Sequence, residues 1–161
     1  TVYGPYGRPD MALYKFTKAI LEKKPIELYN HGEMLRDFTY IDDLVEAVRL
    51  LIDVLPENVN QKNIKPIDSI SPVAPWRVVN IGSFKPRTLM DFVEIVEKKT
   101  GKKAVKVFKE MQMGDAAATY ADISLLKLLT GFSPKFSLEE GVGNFVDWYK
   151  KFYKMPAKVS I

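Results

Sequence analysis

The chain opens with the stretch Thr1-Val2-Tyr3-Gly4-Pro5-Tyr6-Gly7-Arg8-Pro9-Asp10, in which a short β-like run leads into a turn and then a helix. Gly4 and Gly7 allow backbone angles or close approaches that a Cβ would forbid, and the two prolines stiffen the turn. A stiff loop that holds a guanidinium suits a planar anion such as a carboxylate or a phosphate. The stretch predicts either an anion-binding turn around Arg8 or an ordinary strand-to-helix loop with a surface arginine.

The composition is that of one ordinary globular domain: 47% of the 161 residues are hydrophobic, 27% are charged, and the formal net charge is +4. There is no cysteine, which excludes thiolate chemistry and fits a reducing compartment, so we expect a cytoplasmic protein. With one histidine, we expect neither a metal site nor a Ser-His-Asp triad. No apolar run reaches the length of a membrane-spanning helix, so we expect no membrane partner.

A local group of lysines raises the alternative of a nucleic-acid surface; it comprises Lys98, Lys99, Lys102, Lys103, Lys106 and Lys109. Such a surface needs aromatic stacking platforms or a known binding module beside the charge, and the sequence has neither. We therefore interpret the lysines as a solvated helix end with a strand face, and we expect no nucleic-acid partner.

The order of helical and β-rich patterns predicts a mixed α/β fold. Apolar spacing and capping residues predict helices over 10–23, 42–55, 88–100, 122–131 and 137–152, and short β-rich runs predict strands over 25–29, 35–41, 77–81 and 104–108. The proline-rich stretch 56–76 is long for a loop, so we expect it to be mobile, and we expect 155–161 to be a disordered tail. Asp42 and Asp43 are interpreted as first-turn partners of a helix dipole rather than catalytic carboxylates.

Further segments continue the pattern that the opening stretch begins. They are Arg36-Asp37-Phe38-Thr39-Tyr40-Ile41-Asp42-Asp43, then Val79-Asn80-Ile81-Gly82, then Met111-Gln112-Met113-Gly114-Asp115 with Thr119, Ala121 and Asp122, and finally Trp148-Tyr149. In this order they resemble the UDP-glucuronate 4-epimerases of the extended short-chain dehydrogenase/reductase family. The resemblance reaches to about Tyr153. Each segment alone is weak, and the combination is specific.

The resemblance implies that residues 1–154 are the C-terminal, substrate-binding part of such an enzyme. The helix from Asp42 and the strand at 78–81 would be elements that normally complete the Rossmann sheet. These enzymes also need a glycine-rich turn for the dinucleotide and a catalytic Tyr-x-x-x-Lys pair. The sequence has no such turn, and its Tyr-x-x-x-Lys spacing, at Tyr14 and Lys18, lies after the opening stretch, whereas the resemblance implies that the catalytic pair precedes Thr1. We therefore expect NAD and the catalytic residues in a missing N-terminal Rossmann half, no catalytic residue here, and an isolated chain that is inactive and does not bind NAD.

Eight residues are candidates for the UDP-sugar site on the strength of the resemblance. Arg36 would pair with the diphosphate and Asp115 would accept from the ribose hydroxyls. Thr1 and Arg8 would hold the sugar carboxylate, and we expect Arg8 and Arg36 to share a cavity. The others lie nearer the base or phosphates: Lys15 beside the nucleotide, Tyr29 against the uracil, backbone groups around Leu28 at its edge, and Gln112 where some relatives carry a phosphate-binding arginine.

Structural roles remain open alternatives for several of these residues. Lys15 could be an exposed lysine, Tyr29 an ordinary half-buried strand tyrosine, and Gly114-Asp115 a turn-forming pair.

The resemblance implies interconversion of UDP-glucuronate and UDP-galacturonate at carbon 4 through a 4-keto intermediate, in the supply of polysaccharide synthesis. Two alternatives remain: half of a related UDP-sugar decarboxylase or dehydratase, and a nucleotide-sugar binding module without chemistry. Elements left without their Rossmann partner would expose apolar surface, so we also expect a homodimer or other self-association.

Overall fold

The computed structural model describes residues 1–56 and 66–154 of the chain, which form five α-helices and six short strands. The helices are α1 (Ala12–Leu21), α2 (Ile41–Ile52), α3 (Leu89–Thr100), α4 (Ser124–Thr130) and α5 (Leu138–Phe152). The strands are β1 (Val2–Tyr3), β2 (Pro25–Leu28), β3 (Leu35–Arg36), β4 (Thr39–Tyr40), β5 (Arg87–Thr88) and β6 (Val105–Phe108). The predicted mixed α/β class is confirmed.

The strands pair two by two rather than in one sheet. β1 runs parallel to β4, β2 runs parallel to β6, and β3 runs antiparallel to β5. The pairing of β1 with β4 puts Val2 opposite Thr39, and the pairing of β3 with β5 puts Arg36 opposite Arg87. As a result, the opening stretch of the chain lies beside the segment that carries Arg36.

The main core lies where α1, α3 and α5 pack together over β2 and β4. Its largest fully buried side chains include Phe92, Phe145, Ile20 and Leu28. Phe38, next to Asp37 in sequence, stacks on Phe92 with ring centroids 4.5 Å apart, which ties the segment between β3 and β4 to the core. A smaller cluster holds α2 against α4 and consists of Ala47, Ile123, Leu126 and Phe132.

The predicted capping boxes form at the starts of α3 and α5. Thr88 Oγ1 accepts from the Asp91 N–H at 3.0 Å, and the Asp91 carboxylate accepts from the Thr88 N–H at 3.4 Å. Ser137 and Glu140 form the same reciprocal pair. Gly101 ends α3 and Gly131 ends α4 in the left-handed conformation, with φ of 72° and 70°.

Several predicted boundaries are wrong. Helix α1 begins at Ala12 without a side-chain cap, because its N-cap residue is Met11 rather than Asp10. The Asp10 carboxylate pairs with Arg8, and α1 ends at Leu21 rather than at Lys23. The single strand predicted over 35–41 is two strands with different partners, and α2 begins at Ile41 and ends at Ile52 rather than running over 42–55.

The strand predicted over 77–81 does not form. No strand of the described residues lies beside it to supply ladder hydrogen bonds, and 62% of Val78 is exposed.

Part of the predicted mobile loop, 57–65, and the whole predicted tail, 155–161, lie outside the described residues. In the described part of that loop, the Asp68 carboxylate accepts two hydrogen bonds from Arg77, the residue that follows the loop, at 3.0 and 3.1 Å. None of the helices in the described part of the chain has the length and hydropathy to span a lipid bilayer.

Candidate functional site

Arg36, at the end of β3, meets the Asp115 carboxylate, with 3.1 Å between Nη2 and Oδ1. The Arg36 side chain is 15% exposed, its Nη1 donates to the Leu35 carbonyl at 2.9 Å, and its Nη2 lies 3.2 Å from the Met34 sulfur. These contacts fix the plane of the guanidinium. They use only some of its N–H donors, so part of the fork remains available to an anion.

The segment that carries Asp115 is attached along β3. The Leu35 N–H donates to the Ala117 carbonyl at 3.0 Å, and the Thr119 N–H donates back to the Leu35 carbonyl at 3.1 Å. At the other end, the Asp115 N–H donates to the Gln112 carbonyl at 3.1 Å and Gly114 adopts φ +86°. Gly114-Asp115 therefore forms a turn, and that turn directs the carboxylate toward Arg36.

Arg8 and Thr1 line a cavity of about 30 Å³ beside the opening turn, together with Gly4, Gly7, Met11 and Phe38. The Arg8 side chain is 76% exposed and forms an ion pair with Asp10, with Nε 3.0 Å from Oδ1. Hydrogen bonding to Arg8 lowers the pKa of Asp10. Asp10 occupies the Nε and Nη2 edge of this guanidinium, so a ligand carboxylate that binds to that edge would have to replace Asp10.

The expectation that Arg8 and Arg36 share a cavity is not met at this cavity, because Arg36 is not among the residues that line it. Thr1 lines the cavity and also contacts the segment that carries Arg36. The Thr1 backbone nitrogen donates to the Asp37 carbonyl at 2.9 Å, and the Thr39 N–H donates to the Thr1 carbonyl at 2.8 Å. Whether Arg8 and Arg36 act on one ligand stays a prediction.

Leu28 and Tyr29 lie at the end of β2. The Leu28 side chain is fully buried, and its carbonyl accepts from the Lys109 N–H at 2.9 Å. The Tyr29 hydroxyl donates to Glu27 at 3.0 Å, and this hydrogen bond raises the pKa of Tyr29. The chain then turns sharply at Gly32, φ +83°, where a Cβ would lie 2.8 Å from the Met90 sulfur, so the turn after Tyr29 requires glycine.

Two candidates have no side-chain hydrogen bond to the Arg36–Asp115 pair in the described part of the chain. Lys15 is exposed on α1, and its positive charge helps to lower the pKa of Asp10. Gln112 is exposed, and its described contact is the backbone one to Asp115. The structure gives neither side chain a hydrogen bond to Arg36.

Asp43 has a structural role. The sequence analysis also favoured a structural role over catalysis, but it did not predict the contacts through which Asp43 acts. Its carboxylate is 4% exposed and accepts from the N–H groups of Lys135 and Phe136 at 2.9 and 3.3 Å. It thereby fastens α2 to the segment before α5.

Sequence reasoning missed Asp37. This buried carboxylate follows Arg36 directly and accepts hydrogen bonds from Ser83 and Ala121. The sequence signal for a structural role was the position of Asp37 directly after Arg36. Successive side chains of an extended strand point to opposite faces, so Asp37 points away from the face that carries Arg36.

The sequence of the chain is similar to a known protein family and to proteins named as UDP-glucuronate 4-epimerases. Residues 1–64 match the model of the NAD dependent epimerase/dehydratase family. The chain is 52% identical over 155 residues to a probable UDP-glucuronate 4-epimerase of Rhizobium meliloti (strain 1021), covering 96% of this chain and 46% of that protein. It is 39% identical over 165 residues to UDP-glucuronate 4-epimerase 1 of Arabidopsis thaliana, covering 100% of this chain and 37% of that protein.

Solved structures of epimerases have the same fold. The UDP-glucuronic acid 4-epimerase from Bacillus cereus in complex with UDP-glucuronic acid and NAD is 35% identical, with a TM-score of 0.77 over 95% of this chain and 44% of that one. A UDP-glucose 4-epimerase from Thermotoga maritima with UDP-glucose is 27% identical, with a TM-score of 0.78. The predicted resemblance is confirmed, and the chain spans less than half the length of these relatives.

Proposed function

We propose that this chain is the UDP-sugar-binding half of a UDP-glucuronate 4-epimerase. The observation that carries the proposal is the contact between Arg36 and Asp115, because a fixed guanidinium and a carboxylate together suit a nucleoside diphosphate. Relatives that are 52% and 39% identical to the chain carry the name of this enzyme, which supports the same reaction.

The nucleotide end of the ligand would be held by this pair. Arg36 would donate its remaining N–H groups to the diphosphate oxygens. Asp115 uses Oδ1 for Arg36, so Oδ2 would accept from the ribose hydroxyls. The two roles do not compete, because the phosphate is an acceptor and the ribose hydroxyls can be donors.

The sugar end would be held at the opening turn. Arg8 would exchange its Asp10 partner for the glucuronate carboxylate, and exposed ion pairs add so little stability that the exchange costs little. Thr1 lies between this turn and Arg36, which would let one extended ligand reach both. A firm grip on the carboxylate would let the ring turn while the rest of the ligand stays in place.

This chain supplies only part of the site. The cavity at Arg8 is about 30 Å³, whereas pockets for ligands of this size span roughly 300–1,000 Å³. The sequence has no glycine-rich dinucleotide motif, so NAD would be held by residues outside this chain. Both facts support an N-terminal Rossmann half that closes the pocket, holds NAD and supplies the catalytic residues.

An exposed apolar stripe on α2 is our candidate for the contact with that half. Val45, Val48 and Ile52 follow helical spacing on one face and are 58%, 48% and 66% exposed, and Leu55 just beyond is 75% exposed. Soluble domains rarely leave such a stripe uncovered. In the isolated chain the same stripe would drive self-association.

The function is tested by incubating the full-length protein with UDP-glucuronate and following the sugar by proton NMR. Appearance of UDP-galacturonate supports the proposal, and release of carbon dioxide instead would support the decarboxylase alternative. Binding of UDP-glucuronate without any turnover would support the binding module. The 161-residue chain alone is the control, for which we expect no turnover and no bound NAD. Turnover by this chain would refute the proposal that NAD and the catalytic residues belong to an N-terminal half.

A further inference from the structure

Asp37 is a buried carboxylate that joins three separate segments of the chain. It is 3% exposed, and its Oδ1 accepts from the Ser83 N–H at 3.0 Å and from the Ser83 hydroxyl at 2.5 Å. Its Oδ2 accepts from the Ala121 N–H at 3.2 Å. The segment from β3 to β4, the segment after 78–81 and the segment before α4 are therefore held at one point.

The packing at this point leaves no room for another side chain. A Cβ on Gly82 would lie 2.6 Å from Asp37 Oδ2 and 2.6 Å from the Ala121 Cβ. Such distances are not found between real atoms, so glycine at this position is what allows the three segments to approach each other. The Asp37 carboxylate and Gly82 are thus both needed for the three segments to meet at this point, which we call the Asp37 junction.

The backbone of Asp37 connects this junction to the candidate site on both sides. Its N–H donates to Thr119 Oγ1 at 3.4 Å, which holds the segment that ends in the Asp115 turn. Its carbonyl accepts from the Thr1 backbone nitrogen at 2.9 Å, and Arg36 precedes it. Arg36, Asp115 and Thr1 each come from a different segment, and Asp37 contacts or adjoins all three segments.

We propose that Asp37 is a positioning residue for the UDP-sugar site: it touches no ligand and sets the distance between Arg36 and Asp115. The inference rests on the function proposed above. A carboxylate is required because it only accepts hydrogen bonds, and two of its donors, the Ser83 and Ala121 N–H groups, lie on opposite oxygens. An asparagine would turn its NH₂ group toward one of these N–H groups, so one of the two segments would be released.

Asp43 provides the matched control. It is also buried, at 4% exposure, and its two oxygens also accept from backbone N–H groups, those of Lys135 and Phe136. Its segments carry none of the candidate site residues. Asp43→Asn should therefore repeat the loss of folding stability without the loss of ligand affinity.

The test compares Asp37→Asn and Asp43→Asn in the full-length protein by thermal unfolding, UDP titration and steady-state kinetics. We expect both variants to lose a similar amount in Tm. Asp37→Asn should raise the Kd for UDP and the KM for UDP-glucuronate about tenfold, with kcat within about twofold, because the affected groups bind the ligand away from the reacting carbon. Asp43→Asn should leave Kd and KM within about twofold of the parent.

Equal Kd values for the two variants and the parent would overturn the inference, and Asp37 would be a structural residue only. If the parent itself does not bind UDP, the proposed function fails instead. If Asp37→Asn does not fold, Ser83→Ala tests the same junction more gently, since it removes the hydroxyl and keeps the N–H. It should raise the Kd about two- to threefold with little change in Tm, and an unchanged Kd there would equally overturn the inference.

Discussion

Arg36 Nη2 and Asp115 Oδ1 lie 3.1 Å apart, although the residues are 79 positions apart in the sequence. The contact forms because the segment before α4 runs parallel to β3, where backbone hydrogen bonds join Leu35 to Ala117 and Thr119. Arg36 was predicted to bind the diphosphate and Asp115 to bind the ribose hydroxyls. The structure brings these two side chains into direct contact.

Arg36→Ala should weaken the binding of UDP by the full-length protein. A hydrogen-bonded charge contact is worth about 1.5–3 kcal/mol, so we expect the Kd to rise by about 10- to 150-fold in an isothermal titration. Lys98→Ala removes the same charge from an exposed position of α3 and should leave the Kd unchanged. Similar Kd changes in the two variants would mean that only net charge matters.

Arg8→Met should separate the two ends of the ligand. If Arg8 holds the sugar carboxylate, the variant should lose about tenfold in affinity for UDP-glucuronate and almost nothing for UDP, which has no carboxylate. Titrating both ligands into the same variant provides the control internally. An equal loss for both ligands would contradict the assignment of Arg8 to the sugar.

The buried Glu97 should make the stability of the fold depend on pH. Burial alone would raise the pKa of Glu97, but hydrogen bonds from Lys103, Lys106 and the Ala104 N–H lower it to about 2. A lowered pKa in the folded state stabilises the fold above the ordinary value of 4.5, and this stabilisation is lost as the pH falls toward 2.

Glu97→Gln measures that contribution. We expect it to lower the free energy of unfolding by about 2–3 kcal/mol at pH 6, and the difference from the parent should shrink as the pH falls from 5 to 2. Urea unfolding at several pH values checks this, with Glu94→Gln on the exposed side of the same helix as the control. A difference that stays constant with pH would show that packing, not charge, is responsible.

Ile52→Glu should reduce self-association of the isolated chain. Ile52 lies in the α2 stripe and is 66% exposed, so a charge there would break the apolar surface without disturbing the core. Sedimentation should show a smaller average mass and a fluorescent apolar dye should bind less. Val105→Glu, at a residue 55% exposed on β6, is the control. A parent chain that is monomeric and binds no dye would count against the stripe as a contact surface.

The sequence predicted those features whose causes are local. The capping boxes at Thr88 and Ser137 and the glycine ends of α3 and α4 depend on a few neighbouring residues, and they formed as predicted. The strand over 77–81 failed because a strand needs a neighbour, and local β propensity does not say whether one is present.

Contacts between distant segments were beyond sequence reasoning. The role of Asp37 depends on Ser83 and Ala121, which come from segments 46 and 84 positions away. Nothing in local spacing indicates that these segments meet.

A crystal structure of the full-length protein with UDP-glucuronate tests the central claim most directly. We predict that the diphosphate oxygens lie within hydrogen-bond distance of Arg36, the ribose hydroxyls contact Asp115, and the glucuronate carboxylate has replaced Asp10 at Arg8. A ligand bound in full occupancy with no contact to Arg36 or Asp115 would contradict the account.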